Sequence, residues 1–221
     1  EGKHYQYRVV NPWVLPLQKP HPPIWIPGVA SSESIIWAAK HKYPYVSLAP
    51  PMNLLRGIYD LYDETAKADG WTPTAEHRAY AIRINVADTD EKAYEEGKNF
   101  YWQLGTSFGV TPPHWQAPPG YISKSSAQGA REANRRAAAN ITPGGPSLPY
   151  EEAQETVQII TGNPDTVIKK LKKVIDLIDP GTIVLWGREG PMSHEVAMRS
   201  IDLISQEVIP AIKEYQAVGQ V

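Results

Sequence analysis

An α/β fold, with parallel strands covered by helices, is what this sequence predicts. Four apolar runs each pass through a short Gly/Pro/Ser/Asp junction into a helical pattern. No stretch approaches the roughly 18 apolar residues of a membrane span. The 221 residues are enough to bury a sizeable core.

Taken in order, residues 1–23 are polar, aromatic and proline-punctuated, ending in Pro20-His21-Pro22-Pro23. Proline removes backbone donors and biases its predecessor away from helix, so this is a lead-in loop. Ile24-Trp25-Ile26 is the first strand, closed by Pro27-Gly28. Ser31-Ser32-Glu33-Ser34 opens a helix on which Ile35, Ala38 and Ala39 share a face. Tyr45–Leu48 is the second strand, stopped by Pro50-Pro51. Met52–Ala68 is a helix with Leu54, Leu55, Ile58, Leu61 and Tyr62 on one stripe.

Ala79–Val86 is the third strand. Tyr80, Ile82, Ile84 and Val86 alternate with Ala81, Arg83 and Asn85. Asp88-Thr89-Asp90-Glu91 starts a helix, its acids favoured by the dipole, that runs to about Leu104. Residues 105–153 break the pattern with Pro112-Pro113, Pro118-Pro119-Gly120 and Pro143-Gly144-Gly145-Pro146, and only 128–140 suggests a short helix. A segment this long without clear elements points to a functional lid or a disordered insert. Asn163 then caps a helix with Pro164 at its first position and an apolar stripe through Ile178. Thr182–Trp186 is the fourth strand, and a last helix spans about Ser193–Tyr215.

Composition removes whole classes of chemistry. The net charge of −2 does not suit a nucleic-acid binder. The absence of cysteine removes disulfides, thiolate nucleophiles and Cys-based metal sites. None of the six histidines has metal-ligand spacing, so no metal site is expected. There is no Gly-x-Ser-x-Gly elbow, Walker motif or G-x-G-x-x-G. The N-terminus has no apolar signal core.

The strongest candidate site is Gly28 to Ser34. Gly28 lets the backbone turn at the strand's carboxyl end, and the next helix presents N–H groups with serine hydroxyls beside them. That arrangement binds phosphate. The competing reading is plain capping, and Glu33 would repel a phosphate unless turned away. Arg83 and Asn85 lie on the less apolar strand face, either inside a barrel near its open end or on a solvated edge. Arg188 lies at another strand end, as an anion contact or a local ion pair. His114, Trp115 and Tyr121 sit in the long insert, where aromatics close over substrate or simply anchor the loop. The basic run Lys124, Arg131, Arg135, Arg136 is a solvated face.

Several motifs together resemble the bacterial-luciferase-like flavin-dependent monooxygenases. Pro-His-Pro-Pro-Ile-Trp, Gly28–Ser34 and Ala38-Ala39 resemble that family's fifth strand, loop and helix. Val86 to Ala93 is similar to the seventh strand and its helix. Ile160 to Val167 resembles the helix before the eighth strand, and Ser200 to Tyr215 the final helix.

The resemblance implies the C-terminal half of a (β/α)8 TIM barrel, about strands 5–8, with a lid insertion at 105–153 between strands 7 and 8. The whole of 1–221 is then one partial barrel domain behind its 1–23 lead-in. A complete barrel takes about 250 residues. The missing half would carry the catalytic residues. The piece alone is expected to be inactive, with two open sheet edges.

Carried over by position, Gly28, Ala30, Ser31 and Ser34 hold the flavin phosphate. Where luciferase-type members carry an acid before the phosphate-contacting serine, this chain has Ala30. The implied activity is a cytoplasmic monooxygenase. It uses reduced FMN from a separate flavin reductase, and O2, to oxidise a mostly apolar organic substrate, as a homo-oligomer when full length. F420-dependent hydride transfer on the same fold, or a non-catalytic barrel subunit, are the alternatives.

Overall fold

A computed structural model describes residues 1–3, 5–101 and 150–215. Five parallel strands appear among them. They are β1 (Ile26–Gly28), β2 (Tyr45–Leu48), β3 (Arg78–Val86), β4 (Ile159–Gly162) and β5 (Thr182–Trp186). The helices are α1 (Ser32–Lys40), α2 (Met52–Ala68), α3 (Asp90–Gly97), α4 (Tyr150–Glu155), α5 (Pro164–Ile178), α6 (His194–Leu203) and α7 (Ile209–Lys213).

The registers fix the order across the sheet. Ala81 pairs with both Leu48 of β2 and Val184 of β5, so those strands flank β3 on opposite edges. Arg83 pairs with both Ile159 of β4 and Trp186 of β5, which puts β4 on the β2 edge, beyond the end of β2. The lanes are therefore β1, then β2 and β4 end to end, then β3, then β5. β1, β2, β3 and β5 are parallel and in sequence order across the sheet, as strand–helix alternation predicts, and β4 alone departs from that order.

Alternation along β3 divides two environments. Tyr80, Ile82, Ile84 and Val86 join the main core with Ile35 of α1, Leu55 and Ile58 of α2, and Val167, Leu171 and Val174 of α5. Buried tyrosines fill that layer because each hydroxyl but one finds a carbonyl. Tyr59 donates to Ala79 O at 2.5 Å, Tyr62 to Tyr43 O at 2.8 Å and Tyr80 to Val157 O at 2.9 Å. Tyr45 is the exception: its buried hydroxyl has no partner among the described residues. The opposite face carries Ala79, Ala81, Arg83 and Asn85, and across it Leu48, Val184 and Trp186 stay 42%, 41% and 44% exposed.

Helix ends follow local chemistry. Asn163 accepts from Thr166 N at 2.9 Å to cap α5, Pro164 takes the first turn, and Asp179 leaves the helix at φ 44°. Thr89 caps α3 through Lys92 N. Ser200 of α6 accepts from Val86 N at 2.9 Å in a buried site, which clamps the end of β3.

Several expectations shift. The first strand is Ile26–Gly28 rather than 24–26, because Ile26 N bonds Pro44 O and the ladder to β2 begins there. β4 makes a fifth strand. Its four residues are all buried, and so short a run carries no visible alternation. Residues 150–153 of the expected lid are the first turn of α4. The helix from Asp88 begins at Asp90 and gives way at Gly97 to a 3-10 turn, Lys98–Tyr101. The final helix is one continuous path interrupted by a π turn at Ile204–Val208, just before Pro210, whose nitrogen cannot donate. The rest of the 105–153 lid lies outside the described residues.

Candidate functional site

In a parallel α/β sheet ligands gather at the carboxyl ends of the strands. Two groups of residues converge there. The first is the turn from β1 into α1. Gly28 is there for close approach rather than for a turn. A Cβ at Gly28 would collide with the Tyr45 hydroxyl and lie 3.1 Å from Tyr45 Cζ. Burial pushes that hydroxyl up to about 12, so it stays a protonated donor.

Ser31 occupies the N-cap position of α1 in extended conformation, yet its side chain makes no capping bond. Its Oγ instead donates to Glu33 Oε2 at 2.9 Å, and Ser32 Oγ donates to the same oxygen at 3.4 Å. Simple capping by Ser31, the competing reading of the sequence, is thus not what this serine does. A carboxylate has gathered the hydroxyls at a helix N-terminus, where the dipole favours negative charge. Ala30 is exposed, and Ser31 and Ser34 are half-buried at the same end.

The second group lies on the sheet face opposite the main core. Arg83 Nε stands 3.7 Å from Glu189 Oε1, and the Arg83 guanidinium lies 5.1 Å over the Trp186 ring. Trp186 is fixed by donation from Nε1 to Arg188 O at 2.8 Å. Asn85 Nδ2 donates to Glu96 Oε2 of α3 at 3.1 Å. Asn85 is fully buried and Arg83 half-buried, so the solvated-edge reading of these residues is wrong. Arg83 Nε, Asn85 Oδ1 and Glu189 Oε1 are buried without a hydrogen-bond partner among the described residues. Buried polar atoms in that state call for an explanation.

The sequence reading missed Glu189, Glu96 and Trp186. The available signal was Gly187-Arg188-Glu189-Gly190, a charged pair between glycines directly after a strand. Arg188, singled out there, is exposed and contributes its carbonyl. His114, Trp115 and Tyr121 lie outside the described residues. No group of three or more His, Asp or Glu among the described residues could hold a metal ion. A cavity of about 270 Å³ lined by Arg56, Asp63, Arg78 and Asp179 opens at the other end, where β3 begins. It is remote from the carboxyl ends of the strands.

The family model described as luciferase-like monooxygenase matches residues 1–179. The chain belongs to that family. It is 24% identical over 221 residues to an uncharacterized protein, y4vJ, of Sinorhizobium fredii, covering 96% of this chain and 56% of that relative. The monooxygenase RslO1 from Streptomyces bottropensis superposes with a TM-score of 0.58 at 20% identity, over 88% of this chain and 50% of that one. The oxygenating constituent of 3,6-diketocamphane monooxygenase from Pseudomonas putida, solved with FMN, gives 0.56 at 22% identity, over 86% and 49%. The F420-dependent tetrahydromethanopterin reductase of Methanopyrus kandleri gives 0.52 at 18% identity, over 85% and 50%. The chain thus spans about half the length of the relatives it matches. Among the described residues no helix is long and apolar enough to cross a membrane.

Proposed function

We propose that this chain is the phosphate-binding half, about strands 5–8, of a (β/α)8 flavin-dependent oxidoreductase. Its full form uses reduced FMN, delivered by a reductase, and O2 to oxidise an organic substrate. The observation that carries the reading is the start of α1: a helix N-terminus at a strand's carboxyl end, not capped by its own serine. The donor set suits a phosphate monoester. Helix N–H groups and the Ser31 and Ser34 hydroxyls are donors, and the phosphate takes the hydroxyls now held by Glu33, whose exposed carboxylate turns out to solvent. Gly28 and Ala30 keep the approach free of bulk.

The bound flavin supplies the redox chemistry, and the protein binds, orients and excludes water. Water exclusion is proposed for the insert before α4, with His114, Trp115 and Tyr121 as its candidate substrate contacts. Deleting 112–146 in the full-length protein is expected to raise uncoupled peroxide release. Unchanged coupling would sink that assignment.

F420-dependent hydride transfer is the alternative activity, and F420-dependent enzymes stand among the structural neighbours. Anaerobic reduction with F420 and with FMN separates the two. The phosphate site is tested by fluorescence titration of FMN against a Ser31→Ala, Ser34→Ala variant of the full-length protein. Weaker binding is expected, and unchanged affinity rejects the site.

A further inference from the structure

The outer face of α1 carries side chains that the sheet does not use. Ile35, Ala38 and Ala39 are the buried residues of this helix. At 3.6 residues per turn, Glu33, Trp37 and Lys40 lie roughly 140–200° round the helix from Ile35, on the side turned away from the strands. All three are exposed, and Trp37 keeps 47% of its surface in solvent. In a barrel the helices form the outer ring, so a face turned away from the sheet stays outside however the sheet is completed.

Trp37 is also held still. Its ring stacks on His41 at 4.1 Å between centroids and 23° between planes, and the Tyr43 ring stands 5.7 Å away. His41 Nδ1 lies 2.8 Å from Trp37 O, which fixes the imidazole beside the indole. A rigid, exposed tryptophan loses little conformational freedom on being covered, and such side chains anchor protein interfaces.

The charges on this face select the partner. Glu33 and Lys40 are seven residues apart, close to two turns, and so stand in line along the helix. Their midpoint falls between Ile36 and Trp37. A two-fold axis through that point packs α1 antiparallel on a copy of itself. Glu33 then meets the partner's Lys40, Lys40 meets the partner's Glu33, and Trp37 covers the partner's Ile36. The face is complementary to itself, as an isologous contact requires. Glu33 stays on it whether or not its carboxylate holds the Ser31 and Ser32 hydroxyls.

We propose that the outer face of α1 is a self-association surface, joining two copies antiparallel through Trp37 with Glu33 and Lys40 paired across the two-fold axis. The proposal goes beyond the flavin reading and does not depend on it. A nine-residue helix is about 14 Å long, so the contact is smaller than that of a permanent dimer and association is concentration-dependent.

Sedimentation of the full-length protein without added flavin, from about 1 μM to about 300 μM, is expected to show a monomer–dimer equilibrium. Trp37→Ala should weaken the dimer about tenfold or more, the effect of removing an interface anchor. Glu33→Lys and Lys40→Glu should each weaken it about tenfold, because both cross-axis pairs become repulsive. An equimolar mixture of these two variants should associate again, since every pair between unlike copies once more joins opposite charges. The Glu33→Lys, Lys40→Glu double variant should recover association for the same reason. Circular dichroism checks that each variant folds, and the charge-reversal arms leave Trp37 in place, so they decide the matter if Trp37→Ala does not fold. A monomer at every concentration, a dimer indifferent to Trp37→Ala or to the single reversals, or a mixture of the reversed variants that stays monomeric each overturns the proposal.

Discussion

Gly28→Ala is the sharpest probe of how the β1–α1 turn is built. The added methyl meets a ring that has nowhere to go. Tyr45 is fully buried, and its ring stands edge-on to Tyr59 at 6.4 Å between centroids. Overpacking of this kind costs about 1–3 kcal/mol. Removing the colliding hydroxyl with Tyr45→Phe leaves the methyl 3.1 Å from Cζ and 3.3 Å from Cε2, a tight fit that small shifts can absorb. That hydroxyl has no partner among the described residues, so Tyr45→Phe alone should be neutral or stabilising by up to about 1 kcal/mol. The double variant should therefore recover at least about 1 kcal/mol relative to additivity. Urea denaturation of the four proteins, with midpoints compared at unchanged slope, measures this. A neutral Gly28→Ala, or strict additivity with Tyr45→Phe, refutes the close-approach argument.

Other outcomes follow from the same contacts. Glu33→Gln should tighten FMN binding relative to riboflavin, because the carboxylate now holding the Ser31 and Ser32 hydroxyls loses its charge; fluorescence titration reads it. Ser200→Ala should cost about 1–3 kcal/mol in thermal or urea unfolding, since the buried Val86 N–H loses its acceptor. Burial raises the hydroxyl pKa values of Tyr45, Tyr59, Tyr62 and Tyr80. In the unfolded chain these groups ionise near 10, so their stabilising effect is complete below pH 10 and is lost as pH rises towards and past 12. Absorbance of tyrosinate should rise together with loss of circular dichroism, and independent ionisation in a folded protein would contradict this.

Much of the frame was legible because its signals are local. β2, α2 and β5 fall on the residue ranges read from apolar runs and their Pro/Gly stops. The α5 cap was legible because Asn163-Pro164 acts within one turn. β4 was not, because a four-residue strand is fixed by pairing with Arg83–Val86 rather than by its own pattern. At the site, the run Ser31-Ser32-Glu33-Ser34 was legible as a helix start, but the bond of Ser31 to Glu33 rather than to the helix is a side-chain choice that spacing cannot show. Arg83 and Asn85 announced themselves as polar breaks in an apolar strand. Their partners Glu189 and Glu96 lie 106 and 11 residues away in sequence, respectively, and only the fold brings them together.

If the N-terminus of α1 holds the flavin's phosphate, the phosphate itself must contribute to affinity. FMN and riboflavin differ only in that group, so their affinity ratio in the full-length protein measures it directly. FMN should bind about tenfold or more tighter than riboflavin, from charge-assisted hydrogen bonds, with the preference collapsing in Ser31→Ala, Ser34→Ala. Equal affinities for the two flavins in the unaltered protein would contradict it.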